Sequence, residues 1–387
     1  MSLSNAKKMK YDRRLFLAVM LLTFFGYIMV ISAHAAVWLK YGAGTFAFEI
    51  AKITGFLIIG FVLMNRIRVT FNINKVMKSI RIIAIVVGLM MIATLFFPEQ
   101  NGAKAWLRIP GMTIQPVEFL KLTLILYFGY HFGRYYNTNT KAWDVIKMPL
   151  IILIVCFVFV TGFQNDLGSA LILVIISLCM FLAIPEKKFN KYKIGICLIM
   201  FIVVFLVYFF GKDLSAYIYD LPNTFPGKSQ LLRIAVLFDP LKDIYNTGYQ
   251  VSNSLVALVQ SGPFGAGIGN SSTKFIVPEP YNDAILAVIA EETGILGISG
   301  VFLLYIYIIT RLLNYAKMTQ IKITDRLILI GIASFFMAQF FVNVGGMVGL
   351  IPMTGVTLLF ISSGGSSIIT AFITIGIAQG VIKRYIK

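Results

Sequence analysis

Long apolar stretches without a single charged side chain constrain this sequence more than any other feature. Each approaches the length that an α-helix needs to cross the hydrocarbon core of a membrane. The clearest stretches cover residues 15–33, 82–97, 148–163, 167–184 and 194–210. Five further apolar segments cover residues 45–64, 119–133, 284–310, 327–350 and 364–382. The sequence therefore predicts an all-α polytopic membrane protein with about ten transmembrane helices.

The composition of the whole chain supports this fold class. Hydrophobic residues occupy 58% of the 387 positions and charged residues only 13%, which is outside the range of soluble globular proteins. We expect one integral membrane domain over residues 1–387. It has a tail at 1–14, helices 1–7 over 15–210, a large extracellular loop at 211–283, and helices 8–10 with a second tail over 284–387. The first apolar run lacks a small-residue cleavage site, so we interpret it as a retained helix and not as a signal peptide.

The distribution of basic residues predicts the orientation of these helices. With the N-terminus in the cytoplasm, the two tails and the loops at 66–81, 134–147, 187–193 and 311–326 hold 24 of the 34 Lys and Arg residues. Because Lys and Arg accumulate on the cytoplasmic side, we expect a multi-pass membrane protein with both termini cytoplasmic. The net charge of +18 is spread over short loops, which favours contact with anionic membrane lipids and argues against nucleic acid.

Cysteine and histidine are scarce, and their positions limit the chemistry of the chain. Cys156, Cys179 and Cys197 lie inside apolar spans, and His34 and His131 lie near the ends of spans. None has the spacing of a metal-ligand or redox motif. The sequence therefore predicts no metal site built from its own side chains and argues against histidine-based catalysis.

Asp283 is the strongest candidate for a catalytic residue. A Pro-broken stretch places it at the start of an apolar segment that also carries Glu291 and Glu292. Desolvation would raise the pKa of a carboxyl group at this position, whereas the helix dipole and nearby cations would lower it. Asp283 is therefore either a general base or an N-cap of its helix. Glu291 and Glu292 are expected to pair with cations or to bond to neighbouring helices, and a catalytic role is about equally compatible with the sequence.

A second group of polar residues surrounds a tryptophan in a predicted outer loop. Lys104 and Arg108 flank Trp106 on a side that is otherwise poor in basic residues, and this combination suits a diphosphate headgroup. Glu118 and Lys121 are three residues apart, so on a helix they share one face as an ion pair of structural or functional use. Glu49 and Lys52 have the same spacing, and there we favour the structural interpretation.

Two further features indicate a polar cavity. Asp166 opens the sixth span and is either a helix cap or a site residue. Near the end of the chain, Pro, Gly and Ser interrupt the apolar pattern at 349–355 and again at 360–367. Irregular backbone at membrane depth persists only when it is buried in protein or lines a cavity. Two such interruptions in succession favour a re-entrant or cavity-lining loop over a flexible turn.

The order of these motifs resembles that of the SEDS family of cell-wall polymerases, which includes RodA, FtsW and SpoVE. The resemblance extends over most of the chain. Its motifs are GAKAWL at 102–107, QPVEFLKL at 115–122, DLG at 166–168, GYQ at 248–250, FGAGIG at 264–269, PEPYND at 278–283 with AEE at 290–292, LIPMTG at 350–355 and FISSGGSS at 360–367.

The resemblance implies a peptidoglycan glycosyltransferase that polymerises lipid II at the outer face of the bacterial plasma membrane, for elongation or division, with Asp283 as the essential acidic residue. By matching position, Glu118 and Lys121 would belong to the polar cavity, Asp166 would shape it, and Arg233 would match a basic position of the large outer loop. The family also implies release of undecaprenyl diphosphate and a class B penicillin-binding protein, a transpeptidase, as partner. A divalent cation such as Mg²⁺ or Mn²⁺ is compatible with this reaction.

Several positions depart from the usual family pattern. Asn165 stands where Pro is common and Ser363 where Tyr is frequent, and Pro280-Tyr281-Asn282 replaces the commoner Ala-His-Thr. Two other functions compete with the polymerase. A flippase or transporter of lipid-linked precursors would also need a polar cavity among its helices, although its polar residues should extend toward both faces. A non-catalytic scaffold would not depend on Asp283.

Overall fold

The computed structural model describes residues 11–100, 102–109, 111–222, 228–238 and 248–386, without the side chains of residues 229 and 230. Within these ranges the chain forms fourteen α-helices and one two-stranded antiparallel hairpin. The helices are α1 Arg13–Ala33, α2 Ala35–Tyr41, α3 Ala43–Thr70, α4 Ile73–Thr94, α5 Pro116–Tyr135, α6 Ala142–Val158, α7 Leu167–Leu182, α8 Asn190–Asp220, α9 Lys228–Ala235, α10 Tyr249–Gln260, α11 Thr273–Ile276, α12 Ile285–Ala316, α13 Ile323–Met347 and α14 Gly365–Ile382. The strands are β1 Leu107–Ile109 and β2 Met112–Ile114.

The predicted class of polytopic all-α membrane protein is confirmed. Eight helical segments of the described chain are long and apolar enough to cross a membrane: α1 with α2, α3, α4, α6 with its π-helical continuation to Phe163, α8 with the short turn before it, α12, α13 and α14. The sequence also predicted spans at α5 and α7. The helix α5 is 20 residues long but carries charged side chains, and α7 has 16 residues. The total of ten spans therefore remains a prediction.

The helices differ widely in how much of their surface packs against the rest of the protein. In α13, 72% of the most apolar stretch is buried, and the helix packs against α5, α7 and α12. In α8 the corresponding fraction is only 6%. The centre of the bundle thus contains α13 together with α14, in which the fraction is 83%, whereas α8 lies at the periphery and presents its apolar side chains outward. Such a surface is stable only in contact with lipid.

The described parts of the segment between residues 211 and 283 contain helices. The helix α8 continues to Asp220, whereas the sequence analysis ended this span at residue 210. Apolar residues such as Leu214 and Ile218 continue the helix, which ends just before Leu221-Pro222, because a following Pro disfavours helical backbone. Three further helices, α9, α10 and α11, follow in this segment. The short hairpin at 107–114 was also not predicted.

A kink in α12 accommodates part of this segment. Gly294 interrupts the helix with φ of 65°, and the loop at 262–267 fits into the break. The backbone N–H of Ile295 donates to Gly262 O at 3.0 Å, and that of Ala266 donates to Glu291 O at 2.8 Å. A Cβ atom at Gly294 would lie only 2.5 Å from backbone atoms of this loop, so glycine is required here. The exchanged hydrogen bonds satisfy the groups that the kink releases.

Glu291 and Glu292 anchor the segment that leads to Asp283. Glu292 is buried and accepts hydrogen bonds from Ser32 Oγ at 2.6 Å and from Lys274 Nζ at 3.2 Å. Glu291 accepts hydrogen bonds from Ser271 Oγ at 2.6 Å and from the backbone N–H of Thr273 at 2.9 Å. The expectation that these two carboxylates pair with a cation or bond to neighbouring elements is confirmed. They tie the start of α11 to α12.

Removal of one member of the Lys274–Glu292 pair should destabilise the protein strongly. Lys274→Ala leaves the Glu292 charge buried without its cation, which costs about 3–5 kcal/mol. Lys147→Ala breaks an ion pair that is about half exposed, which costs less than about 1 kcal/mol. Unfolding of both variants in detergent, followed by circular dichroism, measures the difference. Equal loss of stability in the two variants would contradict the role of the buried pair.

Candidate active site

A polar cavity of about 810 Å³ opens between the helices at the end of the bundle that carries the hairpin. Its wall combines helical side chains with the two irregular segments that the sequence analysis singled out. The elements that contribute are α3, α5, the start of α7, α9, α10, the turn at 278–283 and the loop at 353–367. The prediction that the interrupted stretch near the end of the chain lines a cavity is therefore confirmed.

Asp283 lies in the wall of this cavity, immediately before α12. It does not cap that helix, because the N-cap residue is Ala284 and no side chain bonds the first turn. Its Oδ1 atom is buried and has no hydrogen-bond partner. The opposite wall at Gly355 has no side chain, and a Cβ atom there would lie 3.8 Å from Asp283 Oδ2. Asp283 thus lines the cavity with one buried carboxylate oxygen that has no hydrogen-bond partner, and a buried group of this kind is frequently functional.

The surroundings of Asp283 alter its acidity. Burial and the nearby negative charge of Glu279 raise the pKa of Asp283 to about 6. Hydrogen bonds from Gln250 and from the backbone N–H of Ala284 partly oppose this rise, because they stabilise the ionised carboxylate. A carboxylate with this pKa is still ionised at neutral pH and is a stronger base than an exposed aspartate. This acidity suits a general base that works near pH 7.

Two amide side chains of α13 hold the backbone around Asp283. Asn343 Nδ2 donates to Asp283 O and to Val356 O, each at 2.8 Å. One turn earlier, Gln339 Nε2 donates to Thr357 O at 3.2 Å. The sequence analysis missed both residues, although an amide repeated after four positions within an apolar helix is a signal that could have indicated them. They join the turn at 278–283 to the loop at 353–367.

The residues that depart from the family pattern meet each other beside Asp283. Asn282 Nδ2 donates to Glu279 Oε2 at 2.8 Å, and Ser363 Oγ donates to Asn282 Oδ1 at 2.5 Å. The backbone N–H of Ser363 also donates to Tyr281 O at 2.9 Å. Tyr281 stacks on His34, with 4.2 Å between the ring centroids. These positions therefore form one connected part of the cavity wall.

The two Glu–Lys pairs predicted from sequence have different surroundings. Lys121 Nζ donates to Glu118 Oε1 at 2.7 Å and to Gln339 Oε1 at 3.2 Å, and only 1% of its side chain is exposed. Glu118 lines the cavity, whereas Lys121 does not. Glu49 and Lys52 also form an ion pair, and both line the cavity. The sequence analysis had treated this second pair as structural.

Asp166 both caps a helix and lines the cavity, so the two roles that the sequence left open coexist. Its Oδ1 accepts from the backbone N–H of Ser169 at 2.9 Å and thereby caps α7. Its Oδ2 accepts from Gln115 Nε2 at 3.0 Å. The preceding Asn165 has φ of 58°, a left-handed conformation that asparagine tolerates and proline cannot adopt. This backbone conformation accounts for the departure at that position.

The predicted diphosphate-binding residues are only partly brought together. Trp106 and Arg233 line the cavity, and Arg233 lies near Gly102. Lys104 and Arg108 are not part of the cavity wall. Arg108 is exposed on β1, and its guanidinium reaches Glu99 O at 3.5 Å. The backbone N–H of Lys104 donates to Gln164 O at 2.8 Å, which holds this loop against the end of α6.

The cavity was also tested for residues that could hold a divalent cation. Across the described ranges, no three side chains of His, Cys, Asp or Glu lie close enough together to hold a metal ion. The carboxylates of the wall are instead committed to separate partners, as for Glu118 and Asp166. The described residues of the wall therefore form no preformed cluster of metal ligands.

Comparison with known proteins identifies the family. Residues 12–385 match the model of a family described as cell cycle protein, which comprises FtsW, RodA and SpoVE. A probable peptidoglycan glycosyltransferase FtsW from Bacillus subtilis is 33% identical over 98% of this chain and 93% of its own length. The peptidoglycan glycosyltransferase RodA of Mycobacterium bovis is 33% identical over 72% of this chain and 57% of its own length.

Solved structures share the fold. A chain from a structure described as a peptidoglycan synthase complex, in which polymerization and crosslinking are coordinated, superposes with a TM-score of 0.72 at 22% identity, covering 97% of this chain and 98% of that one. The rod shape determining protein RodA of Thermus thermophilus superposes with a TM-score of 0.61 at 21% identity, over the same shares of both chains. The family model covers nearly the whole sequence, and the chain therefore belongs to the FtsW/RodA/SpoVE family.

Proposed function

We propose that this multi-pass membrane protein is a peptidoglycan glycosyltransferase that polymerises lipid II, with Asp283 as general base. The enzyme class is that of its curated relatives. The observation that carries the assignment of the base is the buried, unpartnered Oδ1 of Asp283 in the wall of an 810 Å³ polar cavity. A cavity of this volume accommodates sugars together with a diphosphate.

The proposed reaction is a single displacement. Asp283 takes the proton from the 4-hydroxyl of the acceptor GlcNAc, and that oxygen attacks the anomeric carbon of the donor MurNAc. A new glycosidic C–O bond forms while the bond from the anomeric carbon to the diphosphate oxygen breaks, with inversion at that carbon. Undecaprenyl diphosphate leaves with the electron pair, and the cationic Arg233 in the wall stabilises its negative charge.

The position of the polar groups favours catalysis over transport of a lipid-linked precursor. A transport path needs polar side chains that face the substrate along the membrane. Beside this cavity, Lys121 and Gln339 are each only about 1% exposed, and they are hydrogen-bonded to one another. Their polar groups are satisfied by protein contacts and line no path. The polymerase is therefore the function that the geometry supports better.

The orientation and the partner follow from the same proposal. With both termini in the cytoplasm, the cavity faces the outer side of the plasma membrane, where lipid II is polymerised. A structural relative comes from a synthase complex that couples polymerization to crosslinking. This likeness supports a class B penicillin-binding protein, a transpeptidase, as partner of the present chain.

A divalent cation stays a prediction for the purified enzyme, to be tested by adding Mg²⁺ or Mn²⁺ after chelation.

Replacement of Asp283 should abolish glycan synthesis by the purified protein. Asp283→Asn keeps the size of the side chain but removes the base, and we expect a loss of about 10²–10⁴-fold in rate. Asp213→Asn, at an exposed site on α8, is the matched control and should retain the wild-type rate. The measurement is polymerisation of purified lipid II, with and without a cognate transpeptidase, by gel analysis of glycan strands. Equal product from the wild type and well-folded Asp283→Asn would refute Asp283 as the base.

The rate should also depend on pH through the titration of Asp283. Because its pKa is raised to about 6 and the ionised form is the active base, kcat/KM should fall tenfold per pH unit below about pH 6 and level off above it. Glu279→Gln removes a neighbouring negative charge, so the midpoint should move to lower pH. Initial rates between pH 4.5 and 8 measure both curves. A flat profile over this range, or a midpoint that Glu279→Gln leaves in place, would contradict this assignment.

A further inference from the structure

Two ion pairs of identical sequence spacing differ in their access to the cavity. In the Glu118–Lys121 pair on α5, both side chains are almost completely buried, at 3% and 1% exposure. In the Glu49–Lys52 pair on α3, the side chains are 29% and 28% exposed, and both line the cavity. The cation of α5 is thus sealed within protein, whereas the cation of α3 is accessible to a ligand.

The location of Lys52 makes a purely structural role costly. It belongs to a helix that is long and apolar enough to span the membrane, roughly 14 Å along the axis from the first residue, Ala43. An ionisable group inside such a helix is retained when it faces a polar cavity and has a partner there. Glu49 is one partner, but a surface-type pair with this exposure contributes little stability by itself. The exposed face of the Lys52 ammonium group remains available.

The charge of the cavity wall gives Lys52 a specific use. Among the described residues that line the cavity, Lys52 and Arg233 are the basic side chains, and the acidic ones are Glu49, Glu118, Asp166, Glu279 and Asp283. A diphosphate that enters a wall with this excess of carboxylates needs cations close to it. Lys104 and Arg108, the cations that the sequence suggested, are not in the wall. This leaves Lys52 and Arg233 to meet the diphosphate.

We propose that Lys52 binds the diphosphate of the prenyl-diphosphate sugar substrate. This inference rests on the proposed function for the identity of that substrate. In the free protein the Glu49 carboxylate occupies the anion position next to Lys52 Nζ. When substrate binds, diphosphate oxygens accept hydrogen bonds from the same ammonium group. Glu49 is thus a placeholder that the ligand displaces, and its negative charge competes with the ligand.

Binding measurements with soluble probes test the role of Lys52 without turnover. The full-length protein in detergent is titrated with farnesyl diphosphate, inorganic pyrophosphate and farnesol, in an Asp283→Asn background. We expect Lys52→Gln to weaken both diphosphate probes about tenfold or more, because a charge-assisted hydrogen bond is lost. Lys52→Arg keeps the positive charge, so its affinity for both diphosphate probes should stay within about threefold of that of the parent protein. Farnesol, which has the prenyl chain but lacks the anion, should bind equally to all variants. Pyrophosphate has the anion but no prenyl chain, so it measures the contribution of the anion alone.

Two control variants separate ligand binding from structural support. Lys40→Gln removes an exposed lysine of α2 outside the cavity wall and should leave all three affinities unchanged. Glu49→Gln releases Lys52 from its competitor and should tighten diphosphate binding. If the pair is only structural, Lys52→Gln and Glu49→Gln will lower thermal stability alike and change no diphosphate affinity. That pattern, or equal weakening by Lys40→Gln, would overturn the proposal.

The outcome for Lys52 is distinguishable from the outcome for the proposed function. Polymerisation of lipid II by the wild type, together with unchanged diphosphate affinity in Lys52→Gln, would refute the role of Lys52 and leave the polymerase intact. Binding of diphosphate that depends on Lys52, in a wild type that makes no glycan strands with any transpeptidase, would retain the binding site and refute the polymerase. In the active enzyme, Lys52→Gln should raise KM for lipid II with a smaller effect on kcat.

Discussion

No water is present in the hydrocarbon core of a membrane to satisfy a polar group, and the structure is organised around this constraint. At two prominent breaks of the helical backbone, hydrogen bonds from another element satisfy the released groups. The kink at Gly294 is filled by the loop at 262–267, and the irregular loop at 353–367 is held by Gln339 and Asn343. Buried charges obey the same rule, as the pairing of Lys274 with Glu292 shows.

Within the cavity wall, the carboxylates of Asp283 and Glu118 each keep one buried oxygen without a hydrogen-bond partner. The backbone carbonyl of Asp283 is fixed by Asn343, while the Oδ1 atom of this residue has no partner. The backbone of Asp283 is thus held in place while one carboxylate oxygen has no partner, an arrangement that supports the proposed general base. The same division appears in the two Glu–Lys pairs. The Glu118–Lys121 pair is sealed inside the bundle beside Gln339, whereas the Glu49–Lys52 pair faces the cavity.

Much of this arrangement could be predicted from sequence, and the remainder has clear physical reasons. Apolar runs predicted the fold class, and the position of Asp283 before an apolar helix indicated the base, because both signals are local in the chain. Arg108 lies outside the cavity wall although it flanks Trp106 in sequence, and the exposure of Lys52 depends on which helices pack beside α3. Contacts of this kind join residues far apart in sequence. For this reason spacing alone could not separate the pair at Lys52 from the pair at Lys121.

The central claim is that Asp283 acts on the acceptor hydroxyl within this one cavity. An electron cryomicroscopy structure of Asp283→Asn with bound lipid II, in complex with its transpeptidase, would test it most directly. The account predicts that the 4-hydroxyl of the acceptor GlcNAc lies within hydrogen-bond distance of the residue-283 side chain, about 2.6–3.2 Å. An acceptor hydroxyl placed instead against Glu118 or Asp166, with residue 283 remote from both sugars, would contradict it.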